Sequence, residues 1–121
     1  MSDEIWTTIY GQVPSKSNCY RIITLGGHGS LAKSPALKSY EQNFYMQIGS
    51  LRNRNIEGFF EFNARVYYPN NKSDIDNSTK ILLDCLQKAN VIKNDNRCVK
   101  LILEKFIDKD RPRVELFIKE I

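Results

Sequence analysis

Apolar side chains recur along the chain with two different periods. From 5 to 13 they alternate, with Ile5, Thr7 and Ile9 on one side and Trp6, Thr8 and Tyr10 on the other. A period of two in β-branched and aromatic residues predicts a strand, and Pro14-Ser15 ends it. Residues 14–33 carry Gly, Ser, Asn and Lys with little periodic signal, so a loop is expected there. Ser34-Pro35 then reads as a helix start, with serine as the cap and proline in the first turn, where its missing N–H costs nothing. Leu37, Tyr40, Phe44, Ile48 and Leu51 follow at three- and four-residue spacing. They make one apolar stripe on a helix of about four to five turns. Its polar face carries Lys38, Gln42, Gln47 and Arg52, and the stretch 53–58 turns the chain.

The cleanest alternation is 59–68, with Phe60, Phe62, Ala64, Val66 and Tyr68 on one face. Pro69-Asn70-Asn71 closes that strand, since proline cannot continue a central ladder. A second helix is expected over 76–89, with Thr79, Leu82, Leu83, Leu86 and Ala89 toward the core. Two strands, 98–106 and 113–119, finish the chain, joined by a polar hairpin-like turn at 108–112. The order β-α-β-α-β-β predicts an α+β fold: one mixed sheet of about four strands with two main helices packed on it. The whole of 1–121 fits one domain.

Composition narrows the function classes. No apolar run approaches the roughly 18 residues that span a bilayer, and Met1-Ser2-Asp3-Glu4 is acidic where a signal peptide would be basic. No membrane association and a cytoplasmic location are therefore expected. Cys19, Cys85 and Cys98 are odd in number and lack zinc or disulfide spacing, so reduced, mostly buried thiols are expected. The single histidine, His28, stands between glycines and reads as a polar loop residue. The net charge of +4 is a mild excess compatible with a polyanionic partner, and two copies would double it.

The candidate chemistry lies between the best strand and the second helix. Asp74 and Asp76, two residues apart at a strand-to-helix turn, can both point into one cleft. Mg²⁺ takes hard oxygen ligands and keeps several waters, so paired aspartates make a partial shell for it. The helix N-terminus favours both ionised carboxylates and a bound phosphate. Lys80 stands one turn beyond Asp76 on the same face and can reach a scissile phosphate. Asp95, in the loop 93–97, is the third carboxylate candidate, although it would be distant from Asp74 if the helix leads straight into an adjacent strand. The plainer reading makes Asp76 a helix cap and Asp74 a solvated turn residue. An EF-hand is excluded, because counting from Asp74 its sixth position is Thr79 and its twelfth is Cys85. No phosphate-binding G-x-x-x-x-G-K-[ST] loop is present, and Asp84 reads as a surface residue.

The pattern Asp74-x-Asp76-Asn77-x-x-Lys80, followed by Leu82-x-x-x-Leu86, Ala89 and the Asp95 loop, resembles the RusA-type Holliday junction resolvases. Pro14-Ser15 with Tyr20-Arg21 is similar to the family's N-terminal segment. The resemblance covers nearly the whole chain and is strongest over 66–105. It implies a homodimeric, Mg²⁺-dependent endodeoxyribonuclease that nicks four-way DNA junctions symmetrically in recombination and repair. On that resemblance Asp74, Asp76 and Asp95 hold the metal, Lys80 is the catalytic lysine, and the Asp95 loop comes beside the Asp74 loop.

The chain departs from the family pattern at Asn94, where relatives often carry aspartate, at the basic run reduced to Lys72, and at Ser17, where asparagine is usual. Lys72, Arg97, Arg21 and Lys16, with Arg52, Arg54 and Lys33, are candidates for DNA backbone contacts. Tyr67, Tyr68 and Phe59 could stack on an unpaired base, though residues at strand spacing are more often core. Two other classes stay open: a nucleic-acid-binding protein of the same fold that does not cut, and an interaction module whose aspartates merely cap a helix.

Overall fold

The structure, a computed structural model, describes residues 5–121, so the acidic start at Met1-Ser2-Asp3-Glu4 lies outside the described residues, as does the side chain of Lys16. In chain order the elements are β1 (Thr7–Tyr10), β2 (Tyr20–Leu25), β3 (His28–Lys33), α1 (Pro35–Gln47), β4 (Phe60–Tyr68), α2 (Thr79–Lys88), β5 (Cys98–Ile107) and β6 (Arg113–Glu120). Short 3₁₀ turns stand at Lys16–Asn18, Gly49–Leu51, Ile75–Ser78 and Asp95–Arg97.

The strongest alternation becomes the centre of a mixed sheet ordered β1-β6-β4-β5, with β4 parallel to β5 and antiparallel to β6. This is the α+β fold expected. Phe60, Phe62, Ala64, Val66 and Tyr68 are at most 1% exposed, which makes that face of β4 the floor of the core. Leu37, Tyr40, Phe44 and Ile48 of the first helical stripe, and Ile81, Leu82, Cys85 and Leu86 of α2, join it in the same core cluster. Ser34 caps α1 as expected, its Oγ accepting from the Leu37 N–H at 3.2 Å. Gln47 clamps α1 to β1, accepting from the Tyr10 N–H at 2.8 Å and donating to its carbonyl at 3.0 Å. Glu41, buried in α1, accepts from Lys33 at 2.8 Å and Lys88 at 3.2 Å, so one carboxylate ties β3 and α2 to α1.

Four expectations are corrected. Of the expected loop 14–33 only 14–19 is irregular; over 20–33, β2 and β3 form an antiparallel hairpin closed by Gly26-Gly27, whose φ values of +57° and +83° suit a two-residue type I′ turn. His28 is accordingly the first residue of a strand. The first helix is shorter than expected, with α1 ending near Ile48 and a 3₁₀ turn carrying the chain on to Leu51. The second helix starts late, because Ile75–Ser78 is 3₁₀ with Asn77 and Ser78 buried. Leu82, Leu86 and Ala89 of α2 are buried as expected, whereas Ile81 and Cys85 face the core and Thr79 and Leu83 are only half-buried. Finally, β5 and β6 are not a hairpin but flank β4 on opposite sides. The connection passes the end of β4, where the Asp108 N–H donates to the Tyr68 carbonyl at 2.8 Å. The Asp108 carboxylate pairs with Arg113 at 2.8 Å and accepts from the N–H groups of Asp110 and Arg111, organising the bend.

Cys19 and Cys85 are buried free thiols and Cys98 is half-buried. Burial pushes all three up, Cys85 to about 12, which makes them poor nucleophiles. Among the described residues no helix is long and apolar enough to cross a membrane.

Candidate functional site

Where β4 ends at Tyr68, the chain turns through Pro69 into the acidic segment. Asp74 occupies the position before the 3₁₀ turn with extended backbone, φ −72° and ψ 156°, and its carbonyl accepts from the Asn77 N–H at 3.1 Å. The Asn77 side chain, 8% exposed, donates to the Pro14 carbonyl and to the Tyr68 Oη, each at 3.3 Å. One amide therefore fastens the acidic turn to the end of β4 and to the segment that leads into the hairpin. Asp74 and Asp76 consequently line one depression of about 290 Å³ together with Ser15, Ser17, Lys72, Ser73 and Asn77. Its possible ligand atoms are hard oxygens without thiol or imidazole. That donor chemistry fits a magnesium-type cation that keeps waters and shares substrate phosphate. The depression opens at the start of α2, whose N-terminal end stabilises negative charge.

Lys80 stands in the first turn of α2, with its Nζ 3.0 Å from Asp84 Oδ1 and 3.0 Å from Asp95 Oδ2. Asp95 and then Asp84 push its pKa up to about 12. Asp95 sits in the 3₁₀ turn after α2, its N–H donating to Gln87 Oε1 at 3.1 Å. Asn94 caps that turn by accepting from the Asn96 N–H at 3.1 Å, so its side-chain oxygen serves the backbone.

The crossover does lead into an adjacent strand, the circumstance under which Asp95 was expected to lie far from Asp74. The turn after α2 nevertheless folds back along the helix, so that Asp95 reaches Lys80 in its first turn. The structure brings Asp74 together with Asp76, and Lys80 together with Asp84 and Asp95. Among the described residues no group of three His, Cys, Asp or Glu side chains is placed to hold a metal ion.

The basic candidates divide. Lys72 lines the acidic depression, and Arg21 is exposed on β2. Arg97 lies over the Phe59 ring at 5.4 Å. Arg52 is taken up by α1, donating to the carbonyls of Tyr45 and Met46, and Lys33 is taken up by Glu41. Tyr68 is core, while Tyr67 stacks on Phe106 with Arg113 above its ring. Sequence reasoning gave no role to Asn77, although it stands inside the acidic motif, and it took Asp84 for a plain surface residue despite its spacing from Lys80. Gln87 was not anticipated, and nothing in its spacing marks it; Ser15 was named only within the Pro14-Ser15 segment of the resemblance.

A second cleft of about 330 Å³ adjoins the first, lined by Cys19, Tyr20, Leu37, Glu41, Asn77, Lys80, Ile81 and Asp84. Asn77 borders both.

The sequence pattern of the family Endodeoxyribonuclease RusA matches residues 14–119. No curated protein matches the chain.

Proposed function

This chain belongs to the endodeoxyribonuclease RusA family, and we propose that it resolves four-way DNA junctions by Mg²⁺-dependent paired nicking, in recombination and repair. The observation that carries this reading is the pairing of Asp74 and Asp76 in an oxygen-lined depression one helical turn before Lys80. Asp74 and Asp76 would hold the cation and Asp95 would complete the set. Bound there, the cation supplies charge neutralisation at the phosphate and a more acidic water.

The chain's own residues then divide the work. Lys80, its side chain 69% exposed, offers an ammonium to the scissile phosphate and offsets charge that grows in the transition state. A phosphate arriving at Lys80 competes with Asp95 for that ammonium, which releases the Asp95 carboxylate toward the acidic pair. Asn77 holds the turn, and the serine hydroxyls orient water. In-line attack leaves a 5′-phosphate and a 3′-hydroxyl. Lys72, Arg97, Arg21 and Lys16 contact the DNA backbone without reading bases.

Symmetric nicking of a four-way junction calls for a two-fold protein. The edge strand β5 suits that contact, since Val99, Leu101 and Ile107 are exposed there and an uncovered apolar edge invites a partner strand. The cytosol is the proposed compartment.

The test is a synthetic four-way junction labelled in turn on each strand and incubated with Mg²⁺. Wild type should nick two opposed strands, and Asp76→Asn should bind the junction without nicking it. Equal cutting by both proteins would remove Asp76 from the reaction.

A further inference from the structure

Asp84 is a titratable group beside the site to which the proposed chemistry gives no task. It stands in the middle of α2, one turn beyond Lys80, and its Oδ1 accepts from the Lys80 Nζ at 3.0 Å. Stability alone does not explain this pair. A helix favours acids in its first turn and bases in its last, and an acid placed before its lysine pairs better than the reverse order. Here the cation stands at the head of the helix and the acid follows it. The two side chains are 69% and 37% exposed, so the pair adds little to the fold.

The surroundings of the ammonium say what the pair does. An ammonium has three donors. One goes to Asp84 and one to Asp95 Oδ2 at 3.0 Å, which leaves a third for a phosphate oxygen. The two carboxylates are held differently. Asp95 stands on a short 3₁₀ turn after α2, and in the proposed function its carboxylate goes to the cation. Asp84 stands on the helix that carries Lys80 itself. Side chains on a helix lean toward its N-terminus, so the Asp84 carboxylate leans over the turn that Lys80 occupies. Both residues line the cleft of about 330 Å³ that meets the acidic depression at Asn77. The lysine stem is flexible, and once Asp95 leaves, Asp84 is the partner that a rigid element still provides.

We propose that Asp84 is a positioning residue for nicking: it seats the Lys80 ammonium at the edge of the cleft while Asp95 turns to the cation and the phosphate takes the place of Asp95. The inference rests on the nuclease reading above and deepens it. Asp84 touches neither substrate nor cation. Its carboxylate fixes where the ammonium stands as charge grows on the phosphate, and misplacing such a group costs rate rather than binding.

The experiment uses the full chain, saturating, on a labelled four-way junction with Mg²⁺ in single turnover. Asp84→Ala should slow nicking about tenfold. Its junction affinity without divalent cation and its Mn²⁺ affinity should stay unchanged. Its melting temperature should not fall, since alanine is the best helix former and the lost pair is exposed. Asp84→Glu, which keeps a carboxylate one turn from Lys80, should restore most of the rate. In a Lys80→Met background Asp84→Ala should cause no further slowing, a non-additivity that a merely structural role does not produce. Wild-type or faster nicking by Asp84→Ala, or equal slowing in both backgrounds, overturns the proposal. So does a loss of Mn²⁺ affinity, which would make Asp84 a ligand. If wild type leaves the junction uncut, or Lys80→Met cuts as fast as wild type, the nuclease reading falls and this inference with it. That result is distinct from a wild type that cuts, a slowed Lys80→Met and an Asp84→Ala that keeps the full rate.

Discussion

Lys80 donates to two carboxylates at once, and this decides how the site responds to pH. With its pKa pushed up to about 12, the ammonium stays charged through the range in which a nuclease is assayed. In the DNA-free protein, where both carboxylates are in place, NMR of the Lys80 side chain should therefore show no deprotonation between neutrality and about pH 10. The sign for stability follows from the raised value: the ion pairs stabilise the fold below the ordinary lysine pKa of 10.5 and are lost as pH rises through about 12. Because the side chain is 69% exposed, solvent screens the pairs, and their contribution is under about 1 kcal/mol. Lys80→Met should accordingly leave the melting temperature almost unchanged while slowing nicking about a hundredfold or more. Parallel melts and single-turnover rates on a junction check both halves. Tyr40 supplies the contrary case. Its hydroxyl is buried without a hydrogen-bond partner among the described residues, so Tyr40→Phe should raise unfolding free energy by about 1 kcal/mol in a denaturant titration.

At the scale of elements, the acidic turn owes its position to Asn77. Its side chain donates to Pro14 and Tyr68 from a buried place, so Asn77→Ala strands two acceptors as well as removing two bonds. The expected cost is about 1–3 kcal/mol, and nicking should fall further than stability does, because Asp74 and Asp76 lose their fixed relation to the Pro14 segment. Denaturant unfolding and cleavage rates on one preparation separate the two effects. Elements whose periodicity is set by a single buried face were legible in the sequence: the stripe of α1 and the alternation of β4 are both present. The hairpin was not, because its outward face is apolar where a half-buried strand would be polar, which blurs the period of two. The useful signal was local, in Tyr20–Leu25 running into Gly26-Gly27, since two adjacent glycines with positive φ make the turn that matches strand twist. The buried face of α2 was legible in part. Leu82, Leu86 and Ala89 are buried as the pattern predicted, but Ile81 and Cys85 complete the buried face where Thr79 and Leu83 were expected.

Across the whole molecule the limiting information was long-range. The α+β class follows from the order of elements, yet no local pattern shows that β6 pairs with β1 and β4, leaving β5 at the edge. The candidate site was legible to the same extent. Asp74 and Asp76 are neighbours in sequence and share a depression, whereas the position of Asp95 depends on how the turn after α2 folds back along that helix to Gln87 and Lys80. Function at this scale is electrostatic as well. With a net charge of +4 per chain and basic residues around the hairpin, junction affinity should fall steeply with salt, log K declining linearly with log salt. Removing Lys72 should reduce that slope by about one; a filter-binding series at several salt concentrations reads it directly.

The proposed function requires that Asp74 and Asp76, at the head of α2, hold a divalent cation. Mn²⁺ titration followed by electron paramagnetic resonance measures this without DNA or turnover. Wild type should bind Mn²⁺, Mg²⁺ should displace it, and Asp74→Asn and Asp76→Asn should each weaken binding about tenfold or more. Mn²⁺ affinity unaltered in both variants would contradict it.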